Sequence, residues 1–281
     1  MRSILKKLSL LLSDYQVAYL MFVAKLGYLP RFENPRSLNE KINYIKLFNR
    51  NPVRALIADR LKVRDYVAER VNGCRFPEIQ WRGGRLDRAA WDALPELFAI
   101  KANHGSKMTR IVNKGTDGFD EVRRETDSWL RRDYSRYGRE WIYDDLERYL
   151  IAEEMLGRAG SPPLDFKFFV MNGRVGFVQV DVGRFRDHRR NLYTRDFIRI
   201  DAEYEHPSTD DVPKPDEFER AIEIAERLAA DLDFIRVDLY LLGGEIYFGE
   251  LTNTPENGFG RMRPRSFDFE MGRLLPGRIE R

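Results

Sequence analysis

The sequence predicts an α+β protein in which antiparallel sheets follow a helical amino-terminal segment. Apolar residues recur at three- and four-residue steps over 52–71 and 215–231, a spacing typical of amphipathic helices. Asn172-Gly173 and Gly243-Gly244 each separate two apolar runs, and such dipeptides favour tight turns between antiparallel strands. Helices and locally paired strands in separate stretches of the chain indicate the α+β class.

The first elements of the chain are mostly helical. Ser37 is placed to cap a helix, and 52–71 is predicted as one helix that ends at Gly73. Residues 98–102 and 109–112 then form a predicted hairpin, because two short apolar runs flank a turn.

The pattern changes twice more along the chain. Residues 116–149 return to helical character, and 149–156 form a strand. The sequence therefore predicts three parts: a helical segment over 1–75, a small α+β lobe over 76–148, and a larger α+β lobe with an antiparallel sheet over 149–281.

Composition and charge exclude several classes of protein. Hydrophobic residues make up 43% and charged residues 33%, which is typical of a globular chain rather than a disordered one. The net charge of +3 is too small for a dedicated nucleic-acid surface. A single cysteine, Cys74, predicts no intrachain disulfide, no cysteine zinc site and a cytoplasmic location. His104, His188 and His206 lack the spacing of a helical metal pair.

The first 30 residues are rich in apolar side chains and begin with basic ones. Asp14, Gln16 and Lys25 interrupt the apolar run, so no stretch reaches the roughly 18 apolar residues that a membrane span needs. The leucines follow helical spacing. Two interpretations stay open: this helix packs on the body of the protein, or it contacts the inner face of a membrane.

Two carboxylates near the carboxyl end are the strongest functional signal. Asp238 and Glu250 lie on apolar strands on either side of the Gly243-Gly244 turn, so strand pairing would bring them side by side. Hard carboxylate oxygens suit Mg²⁺, which commonly bridges to nucleotide phosphates. A structural ion pair between Asp238 and Arg236 is the alternative interpretation.

A lysine strand and an acidic strand end are the second signal. Lys101 lies in an apolar strand before the 102–107 loop, where a cation and flexible backbone N–H groups are suited to phosphates. Glu153 and Glu154 end a strand and could hold a ribose hydroxyl or an adenine amino group. Taken alone, each feature is more often a charge on a solvated face or edge.

The stretch 181–191 carries four arginines and a histidine directly after a strand. Guanidinium groups bind carboxylates and phosphates through paired hydrogen bonds. Arg184, Arg186, His188 and Asn191 are therefore candidates for binding an acidic substrate such as a uronic acid or a sugar nucleotide. A solvated loop whose arginines pair with its own acidic residues is the alternative.

Together these features resemble the ATP-grasp fold, in which two lobes clamp ATP. The more specific resemblance is to the TupA-like ATP-grasp proteins, associated with synthesis of bacterial teichuronopeptide and surface polysaccharides. The order of the motifs carries it: a lysine strand with a glycine loop, an acidic strand end, then Arg-x-Asp and Glu-x-x-x-x-Pro. The matching stretches are 35–41, 58–60 with 63–64, 101–106, 139–141, 166–169, 236–240, 249–252, 254–255 and 258–260.

The resemblance implies that the chain binds ATP and Mg²⁺. The implied nucleotide contacts are Lys101 with the α- and β-phosphates, the 103–107 loop with His104, Gly105 and Ser106 over the γ-phosphate, Glu153, Glu154, Met155 and Leu156 around adenine and ribose, and Lys167 as a second nucleotide contact.

The implied metal ligands are Asp238 and Glu250, while Arg236 would stabilise the transferring phosphoryl group together with Lys101. The general ATP-grasp pattern places asparagine two residues after the metal glutamate, where this chain has Thr252. Asn253 follows, and in a continuing strand it points to the other face. Either the Thr252 hydroxyl substitutes, or a bulge lets Asn253 reach the metal.

The resemblance further implies an ADP-forming carboxylate–amine ligase that acts in surface-polysaccharide synthesis. Such an enzyme phosphorylates a carboxylate and then joins it to an amine, by positioning and charge neutralisation. A glycosyltransferase that uses a nucleotide-sugar is one alternative, although Asp210-Asp211 lies in an unsuitable loop for its metal motif. A nucleotide-binding scaffold without turnover, recruited to a membrane assembly by residues 1–30, is the other.

Overall fold

The computed structural model describes residues 11–157, 163–183 and 187–276. The chain divides into two compact units, which are described separately. Unit 1 comprises Met1–Asn51, Asp165–Asp238 and Leu251–Arg281, and unit 2 comprises Pro52–Leu164 and Leu239–Glu250. These boundaries differ from the predicted divisions at 75 and 148, because the helices after residue 51 and the strand that begins at 150 belong to unit 2.

The secondary structure confirms a mixed helix-and-sheet protein. In chain order the helices are α1 (Asp14–Leu26), α2 (Leu38–Phe48), α3 (Pro52–Ala58), α4 (Lys62–Arg70), α5 (Arg88–Ala93), α6 (Phe119–Leu130), α7 (Tyr134–Gly138), α8 (Phe218–Leu228) and α9 (Arg265–Arg273), with short 3-10 turns at Trp141–Tyr143 and Pro255–Gly258. The strands are β1 (Cys74–Arg75), β2 (Ile79–Gly83), β3 (Leu97–Ala102), β4 (Thr109–Asn113), β5 (Leu150–Glu154), β6 (Asp165–Met171), β7 (Arg174–Val182), β8 (Arg189–Tyr193), β9 (Glu203–Tyr204), β10 (Phe234–Leu242), β11 (Glu245–Thr252) and β12 (Met262–Arg263).

The strands of the described residues form three sheets. A four-stranded antiparallel sheet in unit 2 has the order β2-β5-β3-β4, and the strands of the larger sheet follow the order β1-β11-β10-β6-β7-β8. In unit 1, β6, β7 and β8 run antiparallel, and β9 pairs with β12. In unit 2, β1 runs parallel to β11, with Cys74 opposite Ile246.

All three sequence-predicted hairpins have neighbouring strands where the turn signals lie, and Gly243-Gly244 joins β10 to its neighbour β11. β3 pairs antiparallel with β4, and β6 pairs antiparallel with β7. Asn172 and Gly173 join β6 to β7 with φ angles of 51° and 74°. Both angles are left-handed, and asparagine followed by glycine is the pair that adopts such a turn with least strain.

The single helix predicted over 52–71 is wrong, because α3 and α4 are separate helices. Asp59 causes the break: its Oδ1 accepts hydrogen bonds from the backbone N–H of Leu61 (2.9 Å) and Lys62 (3.1 Å). A side chain that satisfies free N–H groups starts a new helix rather than continuing the old one. The side chain of Asp59 is buried, and this network anchors part of the site described below.

Each unit has its own apolar core. In unit 1, Leu38 and Ile42 of α2 share a core with Phe169 and Phe177, whose stacked rings lie 4.1 Å apart between β6 and β7. In unit 2, Trp91 and twelve other buried residues pack around β3, β5 and the helices beside them. Burial of such side chains contributes about 1.5–3 kcal/mol each, so these cores hold the strands that carry the site residues.

Helix α1 buries only one of its faces. Ala18 and Phe22 are buried in a cluster with Phe32, whereas Leu20 is 56% and Met21 40% exposed. No helix among the described residues is both long enough and apolar enough to cross a bilayer. Contact of residues 1–30 with a membrane surface stays a prediction, and its first leucines lie outside the described residues.

Candidate functional site

Four charged side chains meet on neighbouring strands of unit 1. The Lys167 ammonium lies 2.5 Å from Oδ2 of Asp165 and 2.7 Å from Oδ2 of Asp238. Nε and Nη2 of Arg236 donate to the two carboxylate oxygens of Asp238, each at 2.6 Å. The side chains are at most 10% exposed. The structure thus brings together three of the predicted site residues, Lys167, Arg236 and Asp238.

This buried charge cluster is expensive to form. Each charge removed from water costs several kcal/mol, and an apolar replacement of similar volume is often at least as stable. The two cations and two carboxylates balance to a formal charge of zero, which explains how the cluster is tolerated. Buried clusters of paired charges are found at functional sites as well as in structural ion-pair networks.

The ion pair between Arg236 and Asp238 matches the alternative interpretation made from the sequence. It also leaves room for the metal prediction, since carboxylate oxygens are the donors that Mg²⁺ takes. Among the described residues, no three histidine, cysteine or acidic side chains are grouped as a metal site. Mg²⁺ characteristically binds through one or two carboxylates, with water and phosphate oxygens completing its shell, so the metal role of Asp238 stays a prediction.

Thr252 contacts this charge cluster, and Asn253 is the next residue along the chain. Nη2 of Arg236 donates to the Thr252 hydroxyl at 3.0 Å, so Thr252 is tied to the residue that holds Asp238. Strand β11 ends at Thr252, and Asn253 is the first residue beyond it, with its side chain buried. Because the regular strand ends there, the alternation of faces does not decide which way Asn253 points.

Glu250, the other predicted metal ligand, belongs to unit 2. Its charge acts on two tyrosines of that unit: burial first, and then Glu140 and Glu250, raise the pKa of Tyr134. The pKa of Tyr143 is also raised, mainly by burial and then by the same carboxylates. Glu250 therefore lies among groups that keep both phenols protonated at neutral pH.

The second charged group lies on the small sheet of unit 2. Lys101 on β3 forms an ion pair with Oε2 of Glu153 on β5, and Nη2 of Arg64 donates to Oε1 of Glu153 at 2.8 Å. Burial alone would raise the pKa of Glu153, but the charges of Lys101 and Arg64 hold it below its usual value. Lys101, predicted to contact phosphates, is therefore held by Glu153, which was predicted to contact ribose or adenine.

The loop after Lys101 is anchored at its beginning. Oδ1 of Asn103 accepts from the backbone N–H of Arg60 at 2.8 Å, and Nδ2 of Asn103 donates to Asp59 at 3.1 Å. Nε2 of His104 lies 3.0 Å from the Trp129 carbonyl oxygen, and burial lowers the pKa of His104. Both side chains face into the protein and hold the loop rather than reaching outward.

The later part of this loop requires glycine. A Cβ on Gly105 would lie 2.5 Å from the Tyr134 ring, closer than real Cβ contacts come. Ser106 hydrogen-bonds to Tyr134, and Lys107 follows in the left-handed region with φ 59°. Backbone N–H groups in such a turn can form an anion-binding concavity.

The remaining predicted nucleotide residues follow β5. Oε1 of Glu154 accepts from the backbone N–H of Glu78 at 3.0 Å, so its side chain binds the chain before β2. Met155 and Leu156 continue in irregular, half-buried chain. Their predicted contacts with adenine stay a prediction.

The arginine-rich stretch is described only in part, since Arg184 and Arg186 lie outside the described residues. Nε of Arg190 donates to Oδ1 of Asp181 at 2.7 Å, and His188 contacts the same carboxylate. Asn191 is buried. Its Nδ2 donates a hydrogen bond to the Asp210 carbonyl oxygen, and its Oδ1 accepts one from the Thr209 N–H. These hydrogen bonds give Asn191 a structural role in holding the 207–211 loop.

Several site residues were not among those predicted. Asp165, Gln179 and Asp181 lie on the same face of β6 and β7 as Lys167, because alternate residues of a strand share a face. A polar residue at every second position of an otherwise apolar strand was the available signal. Arg64 lies in a stretch that carried the family resemblance, yet its partner Glu153 is 89 residues away.

The class of protein follows from comparison with known sequences and structures. The TupA-like ATP-grasp family model matches residues 40–275, so the chain is an ATP-grasp protein and belongs to the TupA-like ATP-grasp family. The predicted family and fold class are thereby confirmed. No curated protein matches the sequence.

Solved ATP-grasp ligases are similar at low identity. A D-alanine–D-alanine ligase from Bacillus anthracis, complexed with ATP, is 14% identical with a TM-score of 0.40 over 70% of this chain and 54% of that one. The Helicobacter pylori enzyme of the same name is 14% identical, with a TM-score of 0.45 over 86% and 70%. The ATP-grasp ligase PsnB, complexed with a precursor variant, Mg and ADP, is 13% identical, with a TM-score of 0.42 over 72% and 52%. The chain spans about half the length of the first of these ligases.

Proposed function

We propose that this protein is an ATP- and Mg²⁺-dependent ligase, ADP-forming, that joins a carboxylate to an amine in the cytoplasm during bacterial surface-polysaccharide synthesis. The observation that carries the proposal is the buried group Asp165, Lys167, Arg236 and Asp238. Membership of the TupA-like ATP-grasp family supports it.

The charges of this group suit phosphoryl transfer. Mg²⁺ would be held by the carboxylates of Asp238 and Glu250, with Thr252 or Asn253 as a further oxygen donor. Bound MgATP supplies a phosphoryl group to a carboxylate, which makes that carboxylate reactive toward an amine. Arg236 and Lys167 now donate hydrogen bonds to Asp238, and in this proposal they donate to phosphate oxygens instead when nucleotide binds. Neutralising the negative charge of the phosphoryl group in this way is the main catalytic contribution in phosphoryl transfer.

The residues of unit 2 act on the nucleotide in this proposal. Arg64 and Glu153 hold the Lys101 ammonium in place, so that it is oriented before phosphate binds. The glycine turn at Gly105 exposes backbone N–H groups for phosphate oxygens. Glu153 and Glu154 remain the proposed contacts for ribose and adenine.

Thermal unfolding with nucleotides tests the binding part of the proposal. A ligand that binds only the folded state at a hundredfold excess over its Kd stabilises by about 2.7 kcal/mol. We expect ATP with Mg²⁺ to raise the melting temperature by several degrees. A UDP-sugar with Mg²⁺ should leave the melting temperature unchanged. A rise with the UDP-sugar and none with ATP would favour a glycosyltransferase.

Matched variants locate the binding residues. Lys101→Met and Asp238→Asn should lose the ATP-dependent shift relative to their own ligand-free melting temperatures. The exposed residues Lys62 and Asp216 provide the controls, and Lys62→Met and Asp216→Asn should keep it. Retention of the full shift in both site variants would contradict the assignment.

Product analysis tests the chemistry. With a panel of hexuronic acids and amino acids, we expect ADP and phosphate to form only when carboxylate and amine are both present. Formation of AMP would contradict the acyl-phosphate route. Binding of ATP without any product would favour the scaffold interpretation.

A further inference from the structure

A second group of titratable side chains lies in unit 1, around His188. Nε2 of His188 is buried and lies 3.2 Å from Oδ1 of Asp181. The Asp181 side chain is 2% exposed, whereas that of His188 is 22% exposed. When Nε2 carries the proton toward Asp181, the other ring nitrogen, Nδ1, holds the lone pair. A partly exposed imidazole whose buried nitrogen contacts a buried carboxylate is the arrangement from which an activated base is built.

Asp181 stays ionised at neutral pH. Burial alone would raise its pKa, but the charges of Arg190 and Lys167 and several hydrogen bonds lower it to about 2. Nε of Arg190 donates to it at 2.7 Å, and Nε2 of Gln179 at 3.0 Å. Asp181 is therefore a fixed negative charge beside the His188 ring.

His206 packs against the ring of His188. The rings of His188 and His206 lie 3.8 Å apart, tilted by 32°. Burial, and then the charges of His188 and Arg190, lower the pKa of His206, while Asp181 and Glu256 act in the opposite direction. His206 is therefore disfavoured as a cation, and His188 is the ring that contacts Asp181.

The position of this pair relates it to the buried charge cluster. Asp181 lies directly opposite Asp165 across β6 and β7, and Gln179 lies opposite Lys167. Directly opposite residues of antiparallel strands have Cβ atoms about 4.5–5.5 Å apart. Asp165 and Lys167 belong to the cluster proposed for phosphoryl transfer, so the imidazole pair adjoins that cluster on one face of the sheet.

The loop after β11 borders the same region in a strained conformation. Glu256 and Asn257 both have left-handed φ angles, 49° and 57°; asparagine adopts this region readily, whereas for Glu256 it is unfavourable. Lys46 on α2 donates to the Asn257 carbonyl oxygen at 3.0 Å and fixes the loop. Oε1 of Glu256 lies 3.9 Å from Nη1 of Arg190. Strained residues that the surrounding structure holds in place cluster at functional sites.

We propose that His188 is the base that accepts a proton from the amine substrate, with Asp181 as its positioning residue. The inference rests on the proposed ligase function. An N–H bond of the ammonium breaks, and its proton moves to Nδ1 of His188. The freed electron pair forms the C–N bond at the carbonyl carbon of the acyl phosphate. The C–O bond to phosphate breaks, phosphate leaves with the electron pair of that C–O bond, and the nitrogen gives up a second proton, which phosphate takes.

The test compares two nucleophiles on the full-length chain. Hydroxylamine is largely unprotonated at neutral pH, so it attacks an acyl phosphate without help from a base, whereas an amino acid requires deprotonation. With ATP, Mg²⁺ and a panel of hexuronic acids, His188→Gln should keep hydroxamate formation within about twofold. Amide formation with an amino acid should fall by about a hundredfold or more, since general bases contribute about 10²–10⁴-fold.

Further variants separate the base from a structural role. Asp181→Asn should lower the rate of amide formation and shift the acidic limb of its pH profile, because the negative charge beside His188 is lost. Arg189→Gln is the control, since the partly exposed Arg189 lies beside the pair in sequence and its guanidinium pairs with the exposed Asp187. It should leave both rates unchanged.

Each other outcome overturns the inference. Unchanged amide formation in His188→Gln excludes the base, and an equal loss of hydroxamate and amide indicates that His188 binds substrate or holds the fold. The absence of hydroxamate from the wild-type chain with every uronic acid would reject the ligase function itself, and the base with it.

Discussion

Glu153 keeps a negative charge in a nearly buried position because two cations face its two oxygens. Lys101 and Arg64 come from other parts of unit 2, and each satisfies one side of the carboxylate. The proposed ligand role of Lys101 therefore depends on a residue 52 positions further along the chain. The same logic applies to Asp181, which Arg190 and Lys167 hold ionised.

We expect Glu153→Gln to destabilise the protein by about 3 kcal/mol, because removing one partner of a buried ion pair leaves the other charges uncompensated. Urea denaturation measures the change. Glu154→Gln is the matched control and should cost less than about 0.5 kcal/mol, since glutamine keeps an oxygen for the Glu78 N–H. Equal losses in the two variants would contradict the role assigned to Glu153.

Asp181 gives stability a predictable pH dependence. Its pKa is about 2 in the folded state against an ordinary 3.8. Its stabilisation is therefore present above the ordinary value and lost as the pH falls toward the folded value. Linkage gives about 2 kcal/mol for this one group.

Urea denaturation at several acidic pH values checks this dependence. In Asp181→Asn, the free energy of unfolding should fall less steeply as the pH decreases, because the contribution of Asp181 is gone. Asp216→Asn, at an exposed position, should keep the wild-type dependence. A wild-type slope in Asp181→Asn would show that the folded pKa of Asp181 is not depressed.

At the scale of elements, helix α9 approaches the start of α2 so closely that only glycine fits between them. A Cβ on Gly272 would lie 2.1 Å from the Arg36 carbonyl oxygen and 2.7 Å from the Ser37 carbonyl carbon. Ser37 begins α2 with a capping box, in which Glu40 bonds back to the backbone of Ser37. Backbone atoms cannot rotate away as a side chain does, so this contact fixes how the two helices pack.

We expect Gly272→Ala to destabilise the protein by about 2 kcal/mol or more, because overpacking against backbone forces the helices apart. In an unpacked helix the same change would stabilise by about 1 kcal/mol. Gly84→Ala is the control, since a Cβ there meets no atom within 4 Å. Thermal or urea unfolding measures both, and a neutral effect of Gly272→Ala would contradict the close approach.

At the scale of the whole molecule, the chain passes between the two units four times. Two of these passages fall inside regular strands, between Asp238 and Leu239 in β10 and between Glu250 and Leu251 in β11. Loss of structure in one unit therefore disrupts a strand that continues into the other. Such continuity favours cooperative unfolding.

The tryptophans provide a probe of this cooperativity. All four, Trp81, Trp91, Trp129 and Trp141, belong to unit 2, whereas far-ultraviolet circular dichroism reports on both units. We expect fluorescence and circular dichroism to give the same urea midpoint. Separate midpoints would show that the units unfold independently.

Much of the local structure was predictable from short-range patterns. The three hairpins, the cap at Ser37 and helix α8 follow from turn residues, capping residues and apolar spacing, all of which act over a few positions. The break between α3 and α4 was not predicted. The periodicity continues through Asp59, and only its burial beside Asn103 shows that the side chain caps a helix and anchors a loop.

The candidate site divides in the same way. Lys167, Arg236 and Asp238 were identified through motifs and resemblance, and the structure joins them in one buried group. Asp165 was not predicted, because its ion pair with Lys167 is recognised only once both side chains are placed on one face of the folded strand.

The sequence by itself determined the α+β class, the family and the residues that carry charge into apolar strands, because these depend on residue type and local spacing. The tertiary structure alone decided which charges share a hydrogen bond, which are buried, and which imidazole faces which carboxylate. Those properties depend on distances between segments far apart in the chain, and local propensity contains no information about them.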